Sequence, residues 1–160
     1  VKIGFLVNPV AGMGGAVGLK GTDGADTLSE AVRRGASRVA PRRAVEALMS
    51  LRPAGVGAEF LTCAGDMGDD ELREADISGA IVHRPGSPST SEDTQKAARA
   101  FANFGVDIIV FVGGDGTARD VVGVVGTAVP VLGVPAGVKM HSGVFLTTPG
   151  ELGAVLSGFA

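Results

Sequence analysis

The sequence predicts an α/β domain in which a parallel sheet lies between helices on both faces, three layers in the Rossmann-like manner. Three observations carry this expectation. Short apolar runs rich in β-branched residues alternate with stretches of helical periodicity. The run "VDIIVFVGG" is apolar at successive positions, as a strand covered on both faces of a parallel sheet must be. Glycine-rich segments at 8–24, 113–117 and 135–143 each follow such a run. That places them at the carboxyl ends of strands, where parallel sheets bind ligands.

Val1 to Val7 reads as a buried strand stopped by "NP". The loop "NPVAGMGGAVGLKGTDG" follows, and loops of such length carry function or disorder. From Ala25 to Arg52 the period turns helical, in "ADTLSEAVRRG" and then "PRRAVEALMSLR", with Pro41 near the start of the second piece. "GVGAEFLTC" is a second strand, "GDDELREA" a short polar helix and "ISGAIVH" a third strand. "RPGSPSTS" reads as a Pro/Ser loop, and "SEDTQKAARAFANFG" as an amphipathic helix closed by Gly105. "VDIIVFVGG" is the central strand, "DGTARDVVGVVG" its helix and "PVLGVPAG" a further buried strand. The chain ends with "VFLTTP" and a helix-like "PGELGAVLSGFA".

The 160 residues fit one domain with a real core, and 45% hydrophobic against 19% charged residues exclude a disordered chain. A net charge of −3 offers no basic field for nucleic acid, and the lack of Trp and Tyr removes the best stacking side chains. Cys63 has no disulfide partner, no Cys/His cluster has metal-site spacing, and a buried small hydrophobe is the expected role of Cys63. "VKIGFLV" is too short for a signal core, and no apolar run approaches the roughly 20 residues of a membrane span. A cytoplasmic location is expected.

In "GGDGT", Gly113, Gly114 and Gly116 let the backbone approach a ligand, and amides at the start of the next helix favour anions. Thr117 offers a hydroxyl to a phosphate oxygen. Asp115 repels a bare phosphate, yet suits one that carries Mg²⁺, or an attacking hydroxyl whose proton it accepts. Ordinary Asp-Gly turn chemistry explains the same residues, and local sequence leaves both readings open. Neither a "GxGxxG" fingerprint nor a "GxxxxGK[ST]" loop is present. Lys20 and Asp23 could serve phosphate and metal or simply be solvated. Gly137, Lys139, His141 and Ser142 follow a buried strand, where ligand contact and a structural role stand level. His83 is expected at the surface. Arg33, Arg34, Arg38, Arg42, Arg43 and Arg52 are expected on solvated helix faces.

Together "NPVAG", "LKGTDG", "VGGDGTARDV" and "GVPAGVKMHSGVF" resemble the ATP-NAD kinase-like family, within the superfamily of NAD, diacylglycerol and sphingosine kinases and phosphofructokinases. "GGDGT" is the signature that superfamily shares. The likeness spans nearly all 160 residues and is loosest over the Arg-rich helices and the Pro/Ser loop. It implies an NAD kinase-like α/β nucleotide-binding domain over 1–160, a fragment of a longer protein whose β-rich C-terminal domain is absent from this chain. It implies ATP or polyphosphate as phosphoryl donor, Mg²⁺ as metal, and a hydroxyl of NAD or a related small molecule as acceptor. Asp115 then matches the family's catalytic aspartate, the base or the organiser of phosphate and metal. Asn8, Gly12, Gly113, Gly114, Gly116 and Thr117 match phosphate-contacting positions. The expected partners are a small-molecule nucleotide substrate and further copies of the chain as a homo-oligomer, with neither nucleic acid nor membrane.

Some positions depart from NAD kinases. Ala118 and Arg119 stand where apolar residues usually follow "GGDGT". "PAGVKMHSG" replaces their "N-x-G-x-L-G-F" loop, and their Asn-Glu dinucleotide motif is not found. Two other readings therefore remain: a non-catalytic nucleotide-binding module that kept the loop, and, from "NPVAG", a lipid kinase. The lack of a basic amphipathic membrane helix counts against the latter.

Overall fold

The computed structural model describes residues 1–19, 24–137 and 140–159. Five strands form one parallel sheet: β1 (Lys2–Val7), β2 (Glu59–Cys63), β3 (Gly79–His83), β4 (Ile108–Gly113) and β5 (Val131–Pro135), in the order β3-β2-β1-β4-β5. The helices are α1 (Met13–Ala16), α2 (Ala25–Arg33), α3 (Ala40–Met49), α4 (Asp69–Glu74), α5 (Ser91–Asn103), α6 (Asp115–Val125) and α7 (Leu152–Phe159). Single 3-10 turns at Gly65–Met67 and Pro149–Glu151 lead into α4 and α7.

The period-2 alternation of the two central strands sorts their side chains to the two layers of the core. On β1, Ile3, Phe5 and Val7 face one way, and on β4 so do Ile108, Val110 and Val112. They meet Ala44, Ala47 and Leu48 of α3, Leu72 of α4, and Leu152 and Leu156 of α7. Leu6, Ile109 and Phe111 face the other way, onto Ala97, Ala98 and Phe101 of α5 and Ala118, Val121 and Val125 of α6. Cys63 is fully buried among this second set, and burial pushes its thiol up to about 12, so it packs as an inert small side chain. The α/β three-layer expectation holds.

Differences from the sequence reading are local. The stretch Ala25 to Arg52 is two helices, as expected, and the structure adds the left-handed turn at Gly35 (φ 84°) that closes the first, where the amide of Ala36 bonds back to the carbonyl of Ala31. The second strand begins only at Glu59, because Val56 is still held by its amide to the carbonyl of Leu51 at the end of the α3 turn. "VFLTTP" makes a single bridge, Phe145 beside Gly133, with Val144 and Leu146 bonding the backbone of Gly133 at 2.8 Å each. That short contact covers the outer edge of β5, and Phe145 stacks edge-on against Phe111 at 5.4 Å. No described helix is long and apolar enough to cross a membrane.

One polar side chain sits awkwardly. Glu71, on α4, is 3% exposed, and its Oε2 has no hydrogen-bond partner among the described residues. Burial, reinforced by Asp70, Asp66 and Glu74, pushes its carboxyl up to about 7.

Candidate functional site

In the order β3-β2-β1-β4-β5 the chain leaves β1 toward one side of the sheet and returns on the other, so the carboxyl ends of β1 and β4 flank the topological switch. Asn8 follows β1 there, with its amide 2.9 Å from the carbonyl of Val112 on β4. Its side chain ties two loops together: Nδ2 donates to Thr117 Oγ1 at 3.0 Å, and Oδ1 accepts the amide of Val10 at 3.3 Å.

The "GGDGT" turn places Gly113 last in β4, Gly114 as the N-cap of α6, and Asp115, Gly116 and Thr117 in the first helical turn. Glycine is needed at 113 because a Cβ would lie 2.4 Å from Thr117 Oγ1, which folds back over the strand end. No side chain caps α6, so its first-turn amides remain open to a ligand. Gly12 joins the first loop to the end of β5: its φ is +82°, and a Cβ there would lie 1.9 Å from the carbonyl oxygen of Ala136. Gly137 packs beside it, against Met140.

Asp115 turns toward this same segment. Its Oδ1 accepts the amides of His141 at 3.2 Å and Ser142 at 3.0 Å, and Oδ2 accepts that of His141 at 3.0 Å. The Ser142 and His141 amides hold its carboxyl below the usual range, so it is ionised at neutral pH. His141 and Ser142 thus reach the site through their backbone, Ser142 also through its hydroxyl.

On the other side of the α6 turn opens a cleft of about 960 Å³. Gly116, Thr117, Arg119 and Asp120 of α6 form one wall, residues 7–10 the floor, and the start of α2 with Leu28 a second wall. Residues 64–67 and 85–91 with Thr94 close it. Arg38 reaches into the lining and pairs with Asp66 at 2.7 Å; it is half exposed, as expected, but lies between α2 and α3 and not on a helix face. His83 is also not a surface residue: its side chain is 15% exposed and its Nε2 lies 2.9 Å from Asp93 Oδ1. Asp93 in turn accepts the amides of Thr90 and Gly86. Partial burial raises its carboxyl, but these bonds and His83 outweigh it, and the net direction is down.

Of the residues singled out in the sequence, Asn8, Gly12, Gly113, Gly114, Asp115, Gly116, Thr117, Gly137, His141 and Ser142 gather at this end of the sheet. Asn8, Gly116 and Thr117 line the cleft, whereas Gly12 and Gly137 hold the loops around it. Lys20, Asp23 and Lys139 lie outside the described residues.

A family model for the ATP-NAD kinase N-terminal domain matches residues 3–160. The chain belongs to the ATP-NAD kinase family. Comparison with curated proteins and with solved structures gave no match. What sequence reasoning missed in this ATP-NAD kinase domain is the wall contributed by residues 85–91 and Thr94, together with Arg38 and Asp66. A Ser/Thr-rich stretch directly before an amphipathic helix was the available signal, since such a stretch sits at a helix N-terminus.

Proposed function

We propose that this kinase-family domain is a phosphotransferase that uses ATP or polyphosphate to phosphorylate a hydroxyl of NAD or a related small molecule. One observation supports the reading above the others: the uncapped first turn of α6 lines a large cleft, and an ionised Asp115 sits in that same turn facing the neighbouring loop. The donor's phosphates occupy the cleft side, against the open amides of α6 and the Thr117 hydroxyl. Thr117 Oγ1 already accepts from Asn8, so its own proton is left to donate to a phosphate oxygen.

The acceptor hydroxyl lies on the Asp115 side. Both carboxylate oxygens carry amide donors, but Oδ2 carries only one, which leaves it room to accept the hydroxyl proton. A carboxyl held below its usual range is a weak base. In a loose phosphoryl-transfer transition state the attacking oxygen needs little deprotonation, so orienting the hydroxyl is the larger task. Asp115 orients it, and the amides of His141 and Ser142 hold Asp115 in place.

Mg²⁺ supplies charge neutralisation on the transferring phosphates when bound. Among the described residues no cluster of three or more His, Cys, Asp or Glu could cage a metal. Asp115 alone fits a metal that arrives on phosphate oxygens and keeps most of its water.

The test is product formation from ATP and from polyphosphate with NAD and other hydroxyl acceptors. Asp115→Asn is expected to lower kcat at least about a hundredfold with the fold retained by circular dichroism. Wild-type binding of ATP by calorimetry with no phosphorylated product would instead support a binding module that kept the loop without the chemistry.

A further inference from the structure

We infer that His83 and Asp93 are positioning residues for the cleft: together they hold the loop 84–90 as its wall, and releasing that loop weakens ligand binding without touching the α6 turn. This rests on the reading of the cleft as the ligand site. The observation that carries it is how little else holds the loop. Pro85, Gly86, Ser87, Pro88 and Ser89 all line the cleft. Among the described residues, the segment 84–89 makes one hydrogen bond, from the amide of Gly86 to the Asp93 carboxylate. Pro85 and Pro88 have no amide hydrogen to offer.

Asp93, in the first turn of α5, is the hub. Its Oδ1 lies 2.9 Å from His83 Nε2, and its Oδ2 accepts the amide of Thr90 at 3.0 Å with the Thr90 hydroxyl 3.5 Å away. One carboxylate thus gathers the residue before the loop, the middle of the loop and its end. An ionised carboxylate can only accept, so His83 Nε2 carries the hydrogen of that bond. His83 is itself fixed to the sheet: it closes β3, and its carbonyl accepts the amide of Ala64 at 2.9 Å, where another part of the cleft lining begins. Lys96, the other basic side chain near Asp93, is paired with Glu92 at 2.9 Å.

Without the His83 bond, Asp93 can turn away from the loop, and residues 84–89 then sample positions off the cleft. Binding selects the molecules whose wall is in place, so the apparent dissociation constant rises by the inverse of that fraction. A wall in place about a tenth of the time weakens binding tenfold, or about 1.4 kcal/mol, within the reach of one hydrogen bond to a charged group. The contacts of the ligand with Thr117 and the α6 amides are left as they were.

The experiment is calorimetric titration with ATP of the wild-type protein and its His83→Ala, His83→Gln and Thr117→Val variants, with hydrogen exchange followed at the Gly86 amide. His83→Ala is expected to weaken ATP about tenfold at an unchanged number of sites, whereas a damaged fold would lower the number of sites. His83→Gln restores an N–H donor and is expected to bring the affinity back to within about threefold of wild type. In the wild-type protein, ATP is expected to slow exchange at Gly86, a measurement that stands even where His83→Ala fails to fold. If His83→Ala binds ATP within about twofold of wild type, or if ATP leaves wild-type exchange at Gly86 unchanged, the positioning role is refuted. Weakened binding by Thr117→Val in that case leaves the cleft reading standing. If ATP does not bind the wild-type protein, the cleft reading falls and the role of the wall falls with it.

Discussion

The contact between Gly12 and Ala136 gives a sharp test of how the site is held. Gly12→Ala adds one methyl group at a residue whose φ is +82°, with the new Cβ 1.9 Å from a backbone carbonyl oxygen. Holding alanine in the left-handed region costs roughly 1 kcal/mol more than glycine. The overlap cannot be relieved by a rotamer, because both partners are close to the main chain. One loop must retreat by about 1 Å, and overpacking of this kind costs roughly 1–3 kcal/mol. The expected loss is therefore about 2–4 kcal/mol. For a domain of this size that lowers Tm by roughly 5–15 °C. Gly15→Ala is the matched control: it lies in α1, three residues away, where an added methyl group would have no atom within 4 Å and the backbone is not left-handed. It is expected to be neutral or slightly stabilising. Thermal unfolding followed by circular dichroism reads both. If Gly12→Ala melts within about 2 °C of wild type, or if Gly15→Ala falls as far, the reasoning fails.

Glu71 gives a pH test. Its folded value lies above its unfolded one, so between about 4.5 and 7 the folded protein keeps a proton that the unfolded chain releases. Stability falls as pH rises through that window and is level above it, by about 3 kcal/mol in all. Glu71→Gln is expected to melt above wild type at pH 8 and close to it at pH 4; an equal gap at both pH values would refute the buried-charge account. Asp93 has the opposite sign: its contribution is present above the unfolded carboxylate range and is lost as pH falls through its lowered folded value. Asp93→Ala should cost about 1–3 kcal/mol at pH 7 and speed hydrogen exchange at the amides of Gly86 and Thr90, with the stability gap narrowing in acid. Gly4→Ala would put a methyl group 2.6 Å from the ring of Phe101 and should destabilise by about 1–3 kcal/mol without touching the cleft, which a Tm shift with unchanged ATP affinity would establish.

The parts of the fold that could be read in the sequence are those governed by local pattern. "IIVFVG" announces a strand covered on both faces because burial on two sides leaves no polar position. "GGDGT" announces an open helix start because its glycines permit a close turn and supply no capping side chain. The rest depends on partners distant in sequence. Arg38 looks like any solvated arginine until Asp66, 28 residues on, is brought beside it. Thr94 looks like an ordinary helical threonine until packing of α5 on α6 buries it. His83 reads as a strand-end residue, and only the loop that returns to Asp93 covers it. The four-residue α1, with two glycines in its span, has too little helical propensity to be foreseen.

The strand order also bears on how the chain reaches this state. β1, β2 and β3 are neighbours in sequence and in the sheet, but β1 meets β4 across a long span, starting with Ile3 beside Ile108, 105 residues apart. During synthesis one side of β1 therefore waits as a bare apolar edge until the second half of the domain has emerged. The Asn8–Thr117 bond spans almost the same separation, so the ligand cleft is among the last features to assemble. A nascent chain halted before β4 would carry a sticky strand and no site, and its hazard is self-association before it is inactivity.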